Sequence, residues 1–252
     1  VTTEITTQAP AIDKANRIFH FIAKHDGATY TQIYQGLSLP QSSTSALLAS
    51  LVTNGLLRQN EGKYFLGLVF YEFGNKAIEQ FNIKDLALEP LSFLRDKTQL
   101  ACHLGVLDGN SAIYLAKVES PSAIQVKSWL GRKLSLHCSA LGKVLLAWES
   151  EQRIDDLFPN ENLTIKTQNT ITTKTAYKKE LQKIRQQGWA FDNGEDFDEV
   201  TCLAAPVYDK NGKVIAAISI SGVRFQMPNE RISEFVQYLL AATKMLSDKI
   251  KS

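Results

Sequence analysis

Thr31-Gln32-Ile33-Tyr34-Gln35-Gly36-Leu37-Ser38-Leu39-Pro40-Gln41-Ser42-Ser43-Thr44-Ser45-Ala46-Leu47-Leu48 sets two short apolar-periodic segments on either side of a Gly-Leu-Ser turn. Thr31 is placed to cap a short helix carrying Ile33, Tyr34 and Leu37, with Tyr30 as the staple residue before the cap. Pro40 lacks the N–H that would go unpaired in a first helical turn, so it opens the next helix. That helix buries Leu47, Leu48, Leu51 and Val52 and ends at Asn54-Gly55. Two helices this short cannot bury their apolar faces alone, and the flanking sequence supplies the remainder. Upstream, Ala15, Ile18, Phe19, Ile22 and Ala23 form the stripe of an amphipathic helix that stops at Asp26-Gly27. Downstream, Leu56-Leu57-Arg58 and Lys63-Tyr64-Phe65-Leu66 flank a polar, Gly-containing tip and read as a hairpin. Helix, short helix, turn, helix, hairpin is the order of a winged helix-turn-helix, whose third helix keeps one face in solvent to enter a major groove.

Past this head the pattern changes. A helical bridge is expected from about Tyr71 to Lys97, weakened at Gly74 and Asn82, with Pro90 in the first turn of a second segment carrying Leu91 and Leu94. The period then falls to 2: Leu100–Leu107 and Ser111–Val118 flank the hairpin turn Asp108-Gly109-Asn110, and a third strand is expected over Ala123–Trp129. Helices are expected over Ser139–Trp148 and Thr173–Gln187, the latter stopped by Gly188. Trp189–Asp192, Thr201–Tyr208 and Lys213–Ser221 read as strands. Pro228 then opens a terminal helix with Ile232, Phe235, Val236, Leu239 and Leu240 on one face. Strands in hairpins with helices beside them make the second part an α+β domain with an antiparallel sheet. The expected division is a winged helix-turn-helix over 1–70, a linker helix over 71–83 and a second domain over 84–252.

Composition narrows the function classes without choosing among them. With 252 residues, 44% hydrophobic and 21% charged, the chain has the makeup of a globular protein of one or two domains. No apolar run approaches the ~20 residues of a membrane span, and the polar, Thr-rich stretch from Val1 to Pro10 does not read as a signal peptide. Three cysteines, an odd number, argue against a disulfide framework and for a cytoplasmic protein. A net charge of +2 points to no particular partner.

Three blocks in order resemble the IclR family of transcriptional regulators, over roughly Ile12 to Leu246. They are Gly36-Leu37-Ser38-Leu39-Pro40-Gln41-Ser42-Ser43-Thr44 with Leu47-Leu48; Leu136-His137-Cys138-Ser139-Ala140-Leu141-Gly142-Lys143-Val144-Leu145-Leu146-Ala147; and Gly188-Trp189-Ala190-Phe191-Asp192 followed by Cys202-Leu203-Ala204-Ala205-Pro206-Val207 and Ala216-Ala217-Ile218-Ser219-Ile220-Ser221-Gly222. The resemblance implies a GAF-like α/β effector-binding domain joined by a helix to the DNA-binding head. It also implies a homo-oligomer, dimer or dimer of dimers, that binds a double-stranded DNA operator and a small-molecule effector, usually an organic or aromatic acid. By match, the effector would be lined by Ala140, Leu141, Asp192, Cys202, Ser219 and Ser221.

The same residues have a physical reading. Ser139-Ala140-Leu141-Gly142 begins a helix with small residues, and a helix N-terminus with accessible N–H groups attracts anions. Ser219 and Ser221 are two apart on one strand and share a face, with Ile218 and Ile220 on the other. Their hydroxyls need partners, which an effector oxygen, a sheet neighbour or water would supply. The charge of Asp192 would oppose a carboxylate unless it is protonated or placed at the far end of the ligand. Blander readings stand beside these: Asp192 as part of a solvated acidic loop running to Glu199, Cys202 as a small buried hydrophobe, and Ala-Leu-Gly as tight helix–sheet packing.

The exposed face of the helix after Pro40 carries Gln41, Ser42, Ser43, Ser45, Ala46 and Ala49, and no Lys or Arg occurs from Pro40 to Asn54. Residues 1–75 hold five basic side chains (Lys14, Arg17, Lys24, Arg58, Lys63) against five acidic ones (Glu4, Asp13, Asp26, Glu61, Glu72). A shallow salt dependence of DNA binding is expected, since each phosphate contact contributes a slope of about 0.9 in log–log salt plots. Gln41 can pair with adenine, the serines can reach base edges or phosphates, and Lys14, Arg17, Arg58 and Lys63 are candidate phosphate contacts. A different class of function, a ligand-binding or protein-interaction module whose winged helix is a dimer contact, predicts no DNA binding at low salt. An enzyme is not expected. Cys102-His103 and His137-Cys138 are adjacent pairs whose side chains would diverge on a regular strand. There is no CxxC, HxH or HExxH metal spacing and no GxGxxG or GxxxxGK[ST] phosphate loop. No metal or other cofactor is expected, and no membrane partner.

Overall fold

The computed structural model describes residues 7–79 and 83–251. They fall into two compact units, residues 1–81 and 82–252. Asn82, expected as a weak point of the helical bridge, lies outside the described residues.

In the first unit the order is α1 (Pro10–Lys24), β1 (Ala28–Thr29), α2 (Tyr30–Gly36), α3 (Gln41–Thr53), β2 (Leu57–Asn60), β3 (Lys63–Leu66) and α4 (Val69–Glu79). Ile18 and Ile22 of α1, Ile33 of α2, Leu48 and Leu51 of α3 and Leu57 of β2 close one apolar core. Each fully buried aliphatic side chain stabilises by about 1.5–3 kcal/mol. Leu47 and Val52 are only half-buried at its edge. The cap of α2 is Thr29, not Thr31. Its side chain accepts from the Gln32 N–H, and Gln32 Oε1 accepts from the Thr29 N–H at 2.8 Å, the reciprocal Thr-x-x-Gln box that Thr31 lacks. Tyr30 is therefore the first helical residue. Pro40 sits just outside α3, where its carbonyl accepts from Thr44 N (3.1 Å) and Thr44 Oγ1 (2.7 Å). The β2–β3 hairpin turns on Glu61 and Gly62, both at positive φ as a two-residue hairpin turn of primed type requires. β1 adds to β3 as a third strand in the order β1-β3-β2.

The second unit runs α5 (Ile83–Thr98), β4 (Ala101–Asp108), β5 (Ser111–Val118), β6 (Lys133–Leu134), α6 (Ala140–Ala147), α7 (Glu151–Leu157), α8 (Lys174–Gln187), β7 (Ala190–Asn193), β8 (Val200–Tyr208), β9 (Val214–Val223) and α9 (Ile232–Lys251). The strands form one antiparallel sheet in the order β6-β5-β4-β9-β8-β7. Its two faces carry separate cores. Leu104, Leu203, Ile218 and Ile220 face α5 and α9, whereas Ala190, Ala204 and Ala217 face α6 and α8.

Several expectations are corrected here. Pro90 lies inside the continuous helix α5, with Ala87, Leu91 and Leu94 buried around it. Its missing N–H leaves one carbonyl of the preceding turn without a helical donor, and burial of this face holds the helix together across that gap. Ala123–Trp129 is not a strand. The Ile124 N–H donates to Ser122 Oγ, and the Ile124, Lys127 and Ser128 carbonyls accept from Gln226 Nε2, Arg132 Nη1 and Lys117 Nζ, so side chains take up much of this segment's backbone. The strand beside β5 is instead Lys133–Leu134. Helix α7, capped by Ser150, was not anticipated. Leu240 is 38% exposed and does not belong to the core face of α9, which carries Phe235, Val236, Leu239, Ala242 and Leu246. Gly188, at φ 81°, ends α8 as expected. Among the described residues no helix is long and apolar enough to cross a membrane.

Candidate functional site

In the first unit, the exposed face of α3 presents Gln41, Ser42, Ser43, Ser45, Ala46 and Ala49. The Tyr30 hydroxyl donates to the Gln41 carbonyl at 2.8 Å, and the Ser43 hydroxyl turns back to that of Pro40 at 3.3 Å. Gln41, Ser42 and Ser45 therefore carry the outward polar chemistry of the helix. Arg58 lies over the Phe65 ring at 5.2 Å, and Lys63 is exposed on the neighbouring strand of the wing. Lys14 and Arg17 are both half-buried on α1. Arg17 differs from its expected phosphate role, because its Nη2 donates to the Leu37 carbonyl at 2.7 Å. The guanidinium braces the turn between α2 and α3, where Ser38 adopts φ 51°.

In the second unit the α6 face of the sheet carries an unusual polar strip. Cross-strand register sets Asp192 beside Cys202, Cys202 beside Ser221, Ala204 beside Ser219, Ser219 beside His103 and His103 beside Lys117. Directly opposed residues of an antiparallel pair share a face. Asp192, Cys202, Ser221, Ser219, His103 and Lys117 thus form a continuous path over five strands. Asp192, Ser219, Ser221 and His103 are each less than 4% exposed, and Cys202 is half-buried. Cys202 Sγ donates to Ser221 Oγ at 3.2 Å, while Ser219 Oγ and His103 Nδ1 have no hydrogen-bond partner among the described residues. A buried polar atom without a partner costs about 1–3 kcal/mol, so both atoms call for one.

The electrostatics follow from burial. Loss of water pushes the Asp192 carboxyl up to about 7, even though the Glu195 N–H donates to it at 2.7 Å. Burial and the neighbouring Asp192 raise the Cys202 thiol, so it is no nucleophile. Burial, then Lys117 and Arg132, push the His103 imidazole down to about 3, which keeps it neutral. Beside the strip, Lys143 of α6 is fully buried; its Nζ donates to the Phe191 carbonyl at 2.6 Å and to Glu195 Oε1 at 2.5 Å. The expected solvated loop from Asp192 to Glu199 is therefore anchored at both Asp192 and Glu195. A lone Lys within the apolar run Ala140–Ala147 was the available signal for that anchor. In the sequence His103 stands out only beside Cys102, because its partners in space belong to other strands.

The start of α6 divides into two roles. The Ser139 side chain caps the Gly142 N–H at 3.0 Å, and a Cβ on Gly142 would lie 2.4 Å from the Ser135 carbonyl oxygen. Gly142 is thus a close-packing position whose N–H is already engaged by its cap. The Leu141 side chain packs on Gly105, where a Cβ would come within 2.5 Å of it. The N–H groups of Ala140 and Leu141 lie in the first turn, where no intrahelical carbonyl reaches them.

His137 and Cys138 also depart from expectation. They lie in a turn instead of a strand, and Cys138 Sγ meets His137 Nε2 at 3.1 Å. Burial pushes the thiol up to about 11, and the same imidazole nitrogen lies 2.9 Å from the Thr164 carbonyl. Among the described residues no three His, Cys, Asp or Glu side chains converge as a metal site. Cys102 lies on the opposite face of the sheet from His103, in the α5–α9 core.

Two family models match the chain: the IclR helix-turn-helix domain over residues 11–61 and the C-terminal domain of the bacterial transcriptional regulator IclR over residues 75–248. The chain belongs to the IclR family. Among its relatives, the HTH-type transcriptional regulator RhmR of Escherichia coli (strain K12) is 36% identical over 226 residues, 89% of this chain and 87% of RhmR. The IclR of Thermotoga maritima shares its architecture with a TM-score of 0.76 and 31% identity, covering 97% of this chain and 100% of that one. An IclR homolog from Microbacterium hydrocarbonoxydans, solved with 4-hydroxybenzoate, has a TM-score of 0.80 at 20% identity, covers 95% of this chain and 98% of that one, and shows likeness of fold. This IclR-family chain is a DNA-binding transcriptional regulator, and not an enzyme.

Proposed function

We propose that the chain binds its operator as a homo-oligomer and that a small organic acid on the α6 face of the sheet shifts that binding. Residues 1–70 would act as the reading head, 71–83 as its connection and 84–252 as the sensor, in the cytoplasm where the operator is. Gln41, Ser42 and Ser45 would meet base edges, with Arg58, Lys63 and Lys14 against phosphates. The effector carboxylate would lie at the first turn of α6, on the Ala140 and Leu141 N–H groups, with Cys202 and Ser221 beside it and Ser219 against the rest of the ligand.

One observation carries the sensor reading: Ser219 Oγ is buried without a partner on the same face as a carboxyl held near 7. Raised toward neutrality by burial, the Asp192 carboxyl can hold its proton and donate to an acid in place of repelling it. The 4-hydroxybenzoate bound by the Microbacterium homolog supports an acid, and an aromatic ring as one option for its body. The acid regulates only through unequal affinity for two arrangements of the protein, and a tenfold difference corresponds to about 1.4 kcal/mol.

The test is the double variant Ser219→Ala/Ser221→Ala in the full chain, with acid binding followed by thermal shift and operator binding by mobility shift on its own promoter fragment. Acid affinity should fall at least about tenfold while operator binding without acid stays unchanged. Unaltered acid affinity removes the site from this face. Gln41→Ala should change sequence preference more than overall affinity, and an equal loss on every sequence would leave it touching only phosphate.

A further inference from the structure

The strip on the α6 face holds a group that the acid site does not use. His103 is fully buried on β4, its ring stacked on Tyr114 at a centroid distance of 4.3 Å and 19° between planes. Its Nε2 lies 2.8 Å from Ser128 Oγ, and the Ser128 carbonyl accepts from Lys117 Nζ at 3.0 Å. The ring is thereby fixed from two sides, yet Nδ1 is left without a partner, as is Ser219 Oγ on the residue directly opposite across the β4–β9 ladder. Cβ atoms of such a pair lie about 5 Å apart, within reach of one ligand atom. The remaining unpartnered buried atoms among the described residues have other settings: Glu195 Oε2 belongs to the Lys143 ion pair, and Thr201 is paired with Gly222 on the opposite face from Cys202.

We propose that His103 is a specificity-determining residue of the sensor, its Nδ1 and the Ser219 hydroxyl forming a two-point receptor for a hydroxyl group, so that the effector is a hydroxylated carboxylic acid. The inference rests on placing the acid on the α6 face. Its chemistry is independent of which imidazole nitrogen carries the proton. With the proton on Nε2, Nδ1 accepts from the ligand hydroxyl, whose oxygen accepts from Ser219. With the proton on Nδ1, it donates to that oxygen, and the ligand hydroxyl donates to Ser219 Oγ. A hydroxyl satisfies both sites in either tautomer, whereas a ketone or carboxylate oxygen, which only accepts, satisfies them in one. Burial beside Lys117 and Arg132 keeps the imidazole neutral, so this donor–acceptor pairing persists across the physiological pH range.

The experiment is calorimetric titration of the full chain with two matched pairs, 4-hydroxybenzoate against benzoate and 3-hydroxypropionate against propionate. Wild type should bind the hydroxylated member of at least one pair at least about tenfold more tightly, because a site built around a hydroxyl leaves its polar groups unpaired when the hydroxyl is missing. His103→Phe keeps a ring on Tyr114 and removes both nitrogens; it should abolish that preference while leaving the affinity for the unhydroxylated acid within about twofold. Ser219→Ala removes a hydroxyl that has no partner in the free protein, so it folds even if His103→Phe does not, and it should reduce the same preference. Equal affinity for both members of every binding pair, as water in the receptor would give, overturns the inference and spares the acid site. Preference retained in Ser219→Ala overturns it too. Binding of none of the four acids removes the acid site and the receptor together.

Discussion

Replacing Asp192 by asparagine tests the electrostatics of the sensor with a signal confined to it. The carboxyl is 2% exposed, and burial lifts it from an ordinary value of about 4 to about 7. A carboxyl whose folded value is raised favours the folded state when protonated. Its contribution is fully present below about pH 4 and is lost as pH climbs through 7. The side-chain amide of the Asp192→Asn variant would keep an oxygen to accept from the Glu195 N–H and would never ionise. The two proteins should therefore be about equally stable at pH 4. The variant's advantage should then grow by about 1.4 kcal/mol per pH unit up to about pH 7 and level off near 4 kcal/mol, an upper bound because partial opening of the site hydrates the charge. Urea unfolding followed by tryptophan fluorescence reads this directly, since Trp129, Trp148 and Trp189 all lie in the second unit. Taking the difference between the proteins at each pH cancels His103 and His137, which burial lowers, and keeps within the signal the coupling of Asp192 to Glu195, whose charge helps to raise it. Parallel stability profiles from pH 4 to 8 would show that Asp192 is hydrated and ordinary, and the protonated donor offered to an acid would be lost.

Lys143→Met removes the Nζ bonds to the Phe191 carbonyl and Glu195 and strands a carboxyl that is 7% exposed. Unfolding by the same fluorescence assay should show a loss of about 3–5 kcal/mol, most of it regained in Lys143→Met/Glu195→Leu; a single-variant loss below about 1 kcal/mol would mean the pair is not desolvated. Arg17→Ala should weaken operator binding without altering its slope against salt, because the guanidinium holds the Leu37 carbonyl. A slope reduced by about 0.9 would return Arg17 to the phosphate contacts.

Much of the architecture is local and therefore legible in the chain. The stripe through Ala15, Ile18 and Ile22, the Glu61-Gly62 hairpin, the Gly188 stop and the alternation of Ser219 and Ser221 against Ile218 and Ile220 depend on periods of 3.6 or 2 and on residues a few positions apart. The misplaced features had local signals outvoted by distant partners. Ala123–Trp129 alternates like a strand, yet Gln226 from the turn after β9 takes one of its carbonyls. Pro90 looks like a helix start, yet the apolar face it shares with Ala87, Leu91 and Leu94 is held in the core with α9.

The chain by itself determined the two-part organisation, the family blocks and one face of polar strand residues, because each is written in contiguous sequence. Only the tertiary structure decided that His103 lies opposite Ser219, that Lys143 meets Glu195 some fifty residues away, and that Arg17 serves the turn. Strand order and register bring these groups together, and burial then sets their charge. Both arise from how the whole sheet and its helices exclude water, which no short stretch of residues encodes.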